Sequence, residues 1–229
     1  MSAAEPATAD AKPSIRDPSG LLLWLRIFAG AAILAYLAEG VAKGLTWALY
    51  ARYLALARAD AERIDQLATY AGYALMAAFW LSAFMTLRLT YRLTKNLHTV
   101  GGDSDIPSPG WAVGCYFVPL VNLVMPALLV NRIWRRTHQL SGEGEKPSAI
   151  IGWWWGLWIV TAICSWIATV MTGSSHQPDA NVSRETHTIA LALFTTYLLG
   201  RALCAVLLLT IFGQLVRAQR AIRDFSMFD

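Results

Sequence analysis

The stretch WAVGCYFVPLVNLVMPALLV, Trp111 to Val130, is apolar throughout yet broken by Pro119 and Pro126, and basic clusters flank it on both sides. Each proline removes a helix donor and clashes with the carbonyl four residues back. A straight crossing here would kink twice, so a hairpin that enters the membrane and turns back is the simpler shape. Non-helical backbone at such depth must be covered by protein or line a wet cavity. The other apolar segments are therefore expected to pack around it. A kinked fifth span and a helix lying in the interface are the alternatives.

Working outward, a chain of 229 residues with 56% hydrophobic content, ten tryptophans and 15% charge belongs to the membrane class. Four further runs, about 21–42, 67–88, 150–172 and 189–213, approach or exceed the ~20 residues that cover a ~30 Å hydrocarbon core. The first holds Arg26 and Glu39 near its ends, where long side chains reach the headgroups. It also follows Glu5, Asp10 and Asp17 and outlasts a ~7–15 residue signal core, so a retained anchor is expected. Backbone groups in a bilayer must be satisfied within each span, and the alternation of a barrel strand is absent. The fold class is thus an all-α integral membrane bundle, with four transmembrane helices plus one re-entrant or interfacial proline-broken hairpin. Residues 1–20, with three prolines and many alanines and acids, read as a disordered cytoplasmic tail; 21–223 form the membrane domain and 224–229 a C-terminal tail. The segment between the first two spans, Lys43 to Gln66, has apolar positions near helical spacing and is expected to lengthen the first helix or rest on the membrane.

Charge decides between the topologies, because cytoplasmic flanks are enriched in lysine and arginine. With four spans and both termini cytoplasmic, thirteen Lys and Arg fall inside against five outside. If 111–130 crosses, seven fall inside against eleven outside. The four-span arrangement, with both termini cytoplasmic, is preferred.

Few residues inside the apolar runs could carry chemistry. Arg201 lies near the middle of the last span, where a charge costs at least ~2.5 kcal/mol. It is expected to face the bundle, either touching an anionic ligand or pairing with Glu39, which reads as nearer the outer surface. Asn122, between the two prolines, could bond backbone groups left open by the breaks or line a small cavity. Trp153, Trp154, Trp155 and Trp158 suit an interfacial anchor. The clusters Arg132, Arg135, Arg136 and Arg217, Arg220, Arg223 set topology and could attract anionic lipid. Gly30 with Leu34, and Gly40 with Gly44, partly fit close helix packing. Cys115, Cys164 and Cys204 lie in apolar segments without Cys-x-x-Cys spacing, so neither a disulfide framework nor a metal site is expected, and no cofactor. His98 and His138 flank the broken segment without a carboxylate pair that would make them catalytic. No His-Glu-x-x-His, Gly-x-Ser-x-Gly or paired intramembrane aspartates occur.

The run from Pro107 to Trp134 resembles the signature of a bacterial membrane family known as a domain of unknown function, DUF4328. The matching residues are Pro109, Gly110 and Trp111 through Val113, then Tyr116 to Pro119, Asn122 with Leu123, Pro126, and Ile133 to Arg135. The resemblance extends to Arg92–Asn96 at the exit of the preceding span, to Trp153–Trp158 with its Trp154 and Trp158, and to Arg217–Gln219 in the last helix. Cys115, Met125 and Ala127 depart from the family pattern of aromatic, basic and aromatic residues. The resemblance implies a bacterial multi-pass membrane protein without an assigned activity.

The expected function is a non-enzymatic membrane interaction or scaffold component. Its partners would be the lipid bilayer and another membrane protein or a second copy, with no nucleic acid. The alternative is small-molecule, ion or lipid binding or transport through the broken hairpin around Asn122 and the intramembrane Arg201.

Overall fold

The computed structural model describes residues 15–50, 58–101, 105–144, 148–172 and 184–226, and within them the chain is helical without strands. Six helices follow one another: α1 (Ser19–Tyr50), α2 (Arg58–Thr99), α3 (Pro109–Gly114), α4 (Met125–Leu140), α5 (Ala149–Thr172) and α6 (Arg184–Ser226). Four stretches within α1, α2, α5 and α6 are long and apolar enough to cross a membrane: Ser19–Leu45, Thr69–Thr99, Ala149–Met171 and Thr188–Asp224. These helices leave large apolar side chains such as Leu34, Trp80 and Trp166 uncovered. Bare apolar surface on this scale is the signature of a lipid-facing exterior.

The helices outrun the expected spans. α1 continues to Tyr50, which supports the longer first helix expected from the 43–66 segment, and α2 and α6 project well past the apolar runs at the basic end. There α6 turns amphipathic: Phe212, Leu215 and Gln219 are buried while Arg217 and Arg220 stay outside. Of the expected N-terminal tail, residues 1–14 lie outside the described residues, but Ile15 to Pro18 are placed and Ile15 is buried.

The spans are arranged as an open row. α1 packs between α2 and α6, α6 packs on α5, and α2 and α5 do not pack against each other. Toward the far end, small residues Ala32, Ala35 and Ala78 let α1 and α2 approach closely beside Tyr36, Leu75 and Leu198. At the basic end the gap between the row's two edges is filled by α3 and α4, which pack on α2, α5 and α6. Leu93, Leu97, Ala112, Ile133 and Phe212 are buried in the core made there.

One close helix contact lies where the sequence patterns did not point. Gly30 and Gly44 have open space around them, whereas a Cβ on Gly200 would overlap Thr161 Cγ2 of α5. Thr161 is fully buried and its hydroxyl donates to the Trp158 carbonyl at 2.9 Å, so it cannot rotate away without losing that bond.

Candidate functional site

The broken segment folds as a hairpin because each proline sits where its geometry is tolerated. Ser108 caps α3 by accepting the Trp111 N–H at 3.3 Å, and Pro109 occupies the first turn, where a missing donor costs nothing. Pro119 forces the preceding Val118 into extended backbone (φ −96°, ψ 113°), which ends the first 3-10 turn, Cys115–Phe117. A second turn, Val121–Leu123, follows, and Pro126 lies in the first turn of α4. The prolines therefore punctuate a chain reversal; they do not kink a continuous helix.

The two arms of the hairpin return to one place. Arg132 Nη1 donates to the Asp105 carbonyl at 3.2 Å and Arg136 Nη2 to that of Gly101 at 3.4 Å, tying the exit arm to the entry. The Ser148 hydroxyl donates to Asn131 Oδ1, fixing the start of α5 beside the same arm. At the tip, Phe117 and Leu120 are 71% and 81% exposed, which suits side chains in hydrocarbon. The tip reaches only part of the way in: Leu123 lies beside Trp155, seven residues from Ser148. That is ~10 Å at 1.5 Å per residue, against a core of ~30 Å.

Reversal at this depth exposes backbone, and Trp155 answers part of the need by donating its indole N–H to the Leu123 carbonyl at 2.9 Å. From that bond an aromatic series runs into the bundle. Trp155 stacks on Trp158 with ring centres 4.8 Å apart. The Arg201 guanidinium lies over the Trp158 ring at 4.9 Å and over the Tyr197 ring at 5.5 Å, and Tyr197 meets Tyr36 edge-on at 6.2 Å. Cys204 Sγ contacts the Trp154 carbonyl at 3.7 Å, so counting six residues along each helix sets Thr210 level with Ser148. Arg201 is then ~14 Å from that level, near mid-membrane.

Arg201 is thus held by rings, as its position requires. A charge at this depth costs at least ~2.5 kcal/mol, and a desolvated cation–π contact contributes ~2 kcal/mol, so two rings are of the right size to offset it. Glu39 lies only slightly nearer the outer end than Arg201: its neighbour Gly40 faces Leu198, less than one turn outward of Arg201. Glu39 is within 3.9 Å of Lys43 on its own helix, and both Glu39 and Arg201 act electrostatically on the Tyr36 and Tyr197 pair.

Asn122 is half-buried at the tip, its backbone N–H closing a turn on the Val118 carbonyl at 2.8 Å. Its neighbour Leu123 shares a shallow apolar pocket of about 230 Å³ with Trp158, Ala162, Ile163 and Trp166. Trp158 thereby touches both the hairpin pocket and Arg201. His138 is buried with its ring 4.3 Å from that of Trp134 and its Nδ1 2.8 Å from the Trp134 carbonyl, while His98 Nε2 meets the Pro107 carbonyl at 3.2 Å. His98 ties the end of α2 to the hairpin entry, whereas these His138 contacts stay within α4.

Two of the motif residues distant in sequence are partners. Asn96 Nδ2 donates to Gln219 Oε1 at 2.9 Å and to the Arg16 carbonyl at 2.9 Å, and Gln219 Nε2 donates to the Leu93 carbonyl at 3.0 Å. Gln219 is fully buried. Outside it, Arg223 Nη1 pairs with Asp17 at 3.2 Å. The lead-in to α1, the end of α2 and the end of α6 are clasped together at the basic end. The sequence offered Trp155 only as one of four interfacial anchors; an indole N–H facing a broken backbone has no signature in a run of four neighbouring tryptophans.

Four membrane-length helices around a shallow re-entrant hairpin define a multi-pass helical membrane protein. The chain belongs to the family described as Domain of unknown function (DUF4328), whose model matches residues 52–217 and so spans the hairpin, the tryptophan run and most of α6. No curated protein matches the chain significantly, and neither does any solved structure.

Proposed function

We propose that this protein is a bacterial inner-membrane component with both termini cytoplasmic, acting without catalysis as an interaction or scaffold element for another membrane-spanning segment. The observation that carries this reading is the open row. α2 and α5 form unpartnered edges, and the hairpin fills the space between them only at the basic end. Above the tip, a partner helix would find the apolar pocket on α5 and rigid walls on either side. The orientation rests on the lysine and arginine excess at the end where the hairpin arms and the α6 terminus gather.

Two measurements test this. In a cysteine-free background, Asp105→Cys and Glu143→Cys should label from the cytoplasmic face and Glu185→Cys from the opposite one; any separation of 105 from 143 by the bilayer discards the arrangement. A photo-crosslinker at Ile163, in membranes, should capture one membrane-protein species, either a second copy or a different protein, in high yield. Adducts to lipid alone would overturn the scaffold role.

A second reading, a small-molecule or ion pathway, draws on one observation: Trp158 connects the hairpin pocket to the intramembrane Arg201. Solute flux in vesicles carrying the purified protein, abolished by changing Arg201 or Asn122, would favour it over the scaffold.

A further inference from the structure

On the face of the row away from the hairpin pocket, α1 and α6 border an open cavity of about 390 Å³ lined by Arg26, Val206, Leu209, Thr210, Gly213 and Arg217. Two arginines from different helices converge on it. Arg217 Nε donates to the Gly213 carbonyl at 3.2 Å, which anchors the guanidinium beside the cavity by one nitrogen. Arg26 Nη2 lies over the same glycine, 3.7 Å from where a Cβ would stand.

The charge is unbalanced. No carboxylate lines the cavity, and among the described residues neither Arg26 nor Arg217 forms an ion pair, whereas Arg223 and Lys43 each have an acidic partner. Two guanidiniums facing one space repel each other unless an anion lies between them. Thr210 already donates its hydroxyl to the Val206 carbonyl at 2.9 Å, so the donors left for an anion are those of the arginines.

The height is equally informative. Thr210 is level with the start of α5, at the boundary between headgroups and hydrocarbon. The Arg26 and Arg217 guanidiniums meet at Gly213, about 5 Å to the headgroup side of that level, while Val206 and Leu209 continue along α6 into the apolar region. Cationic forks at headgroup height with an apolar wall running inward match a phosphodiester with an acyl chain attached.

We propose that the α1–α6 cavity is a binding site for an anionic phospholipid, its phosphate held between Arg26 and Arg217 and one acyl chain lying along Val206 and Leu209. The site is separate from the hairpin pocket and depends only on the protein's place in a bilayer, so the scaffold reading can fail without it.

The test uses the purified full-length chain in detergent, titrated with phosphatidylglycerol, phosphatidylcholine or inorganic phosphate, with thermal unfolding and native mass spectrometry as readouts. Phosphatidylglycerol should raise the unfolding temperature saturably and remain bound, and phosphatidylcholine should do neither. The double variant Arg26→Gln, Arg217→Gln should weaken phosphatidylglycerol binding by about tenfold or more. Arg220→Gln, outside the cavity, should bind like the wild type. If the double variant unfolds during purification, Arg26→Lys with Arg217→Lys keeps the charge and loses the forks, and should bind more weakly than the wild type. Equal binding by the wild type and the cavity variants would overturn the proposal, as would equal binding of phosphatidylcholine. Saturable stabilisation by inorganic phosphate matching that by the lipid would reassign the cavity to a soluble anion and overturn it too.

Discussion

At the scale of single residues, Trp155 and Arg201 show opposite answers to polar groups held in hydrocarbon. Trp155 supplies a donor to a carbonyl freed by the chain reversal. Trp155→Phe keeps the stacked ring and removes only the N–H, leaving an unpaired carbonyl that costs ~1–3 kcal/mol. Its unfolding temperature should fall clearly below the wild type, whereas Trp153→Phe, at a ring 75% exposed, should leave it unchanged. Equal behaviour of the two variants would remove the bond's importance. Arg201 is itself a donor, and in hydrocarbon it also needs its charge covered. A double-mutant cycle between Trp158→Ala and Arg201→Leu should give a coupling of ~1–2 kcal/mol, because without the ring the arginine is a liability and without the arginine the ring is ordinary packing. Additive effects would contradict the contact. Both residues were visible in the sequence as a charge and an aromatic run. Their pairings were not, since Trp153, Trp154, Trp155 and Trp158 differ only in which way the helix turns them.

Among the elements, the hairpin was legible because its causes are local. Two prolines and a Ser-Pro-Gly opening dictate breaks and caps within a few residues. The α5–α6 contact was not legible, since the small residue that matters, Gly200, has meaning only opposite Thr161. Gly200→Ala should destabilise the pair by ~1–3 kcal/mol through overpacking. Adding Thr161→Ala, which removes the opposing methyl, should recover a good part of that loss in unfolding measurements; no recovery would place the clash elsewhere. The expected pairing of Gly40 with Gly44 finds a milder outcome, with Leu198 resting in ordinary contact against Gly40.

For the molecule as a whole, the ends of the chain matter as much as the spans. Asp17 accepts from the Ser19 hydroxyl at 2.5 Å and from its N–H at 2.9 Å, and faces Arg223 and Arg220. The Ser19 bond first, then the arginines, hold its carboxyl below the usual value. A folded-state pKa below the unfolded one means that the contribution is complete above the ordinary carboxylate range, about pH 4, and fades as pH falls through the lowered value. Wild-type protein should therefore lose stability more steeply than Asp17→Asn as pH falls below about 4. Parallel acid titrations of the two would exclude the clasp. Beneath it, Gln219→Leu strips the buried amide from both Asn96 and the Leu93 carbonyl and should cost more than Asp17→Asn at neutral pH, compared by unfolding temperature.

The sequence alone determined that four segments are long and apolar enough to cross a bilayer, which further apolar segment is broken by prolines and where positive charge gathers, because length, hydropathy and proline geometry act within a single segment. Only the tertiary structure decided that the spans form the open row α2, α1, α6, α5, that Asn96 answers Gln219, and that Arg26 meets Arg217 across a cavity. The physical reason is the solvent. Lipid is as apolar as the bundle interior, so a spanning helix carries little amphipathic record of which face meets a neighbour, and that choice is made by shape and by the few polar groups that must find one another.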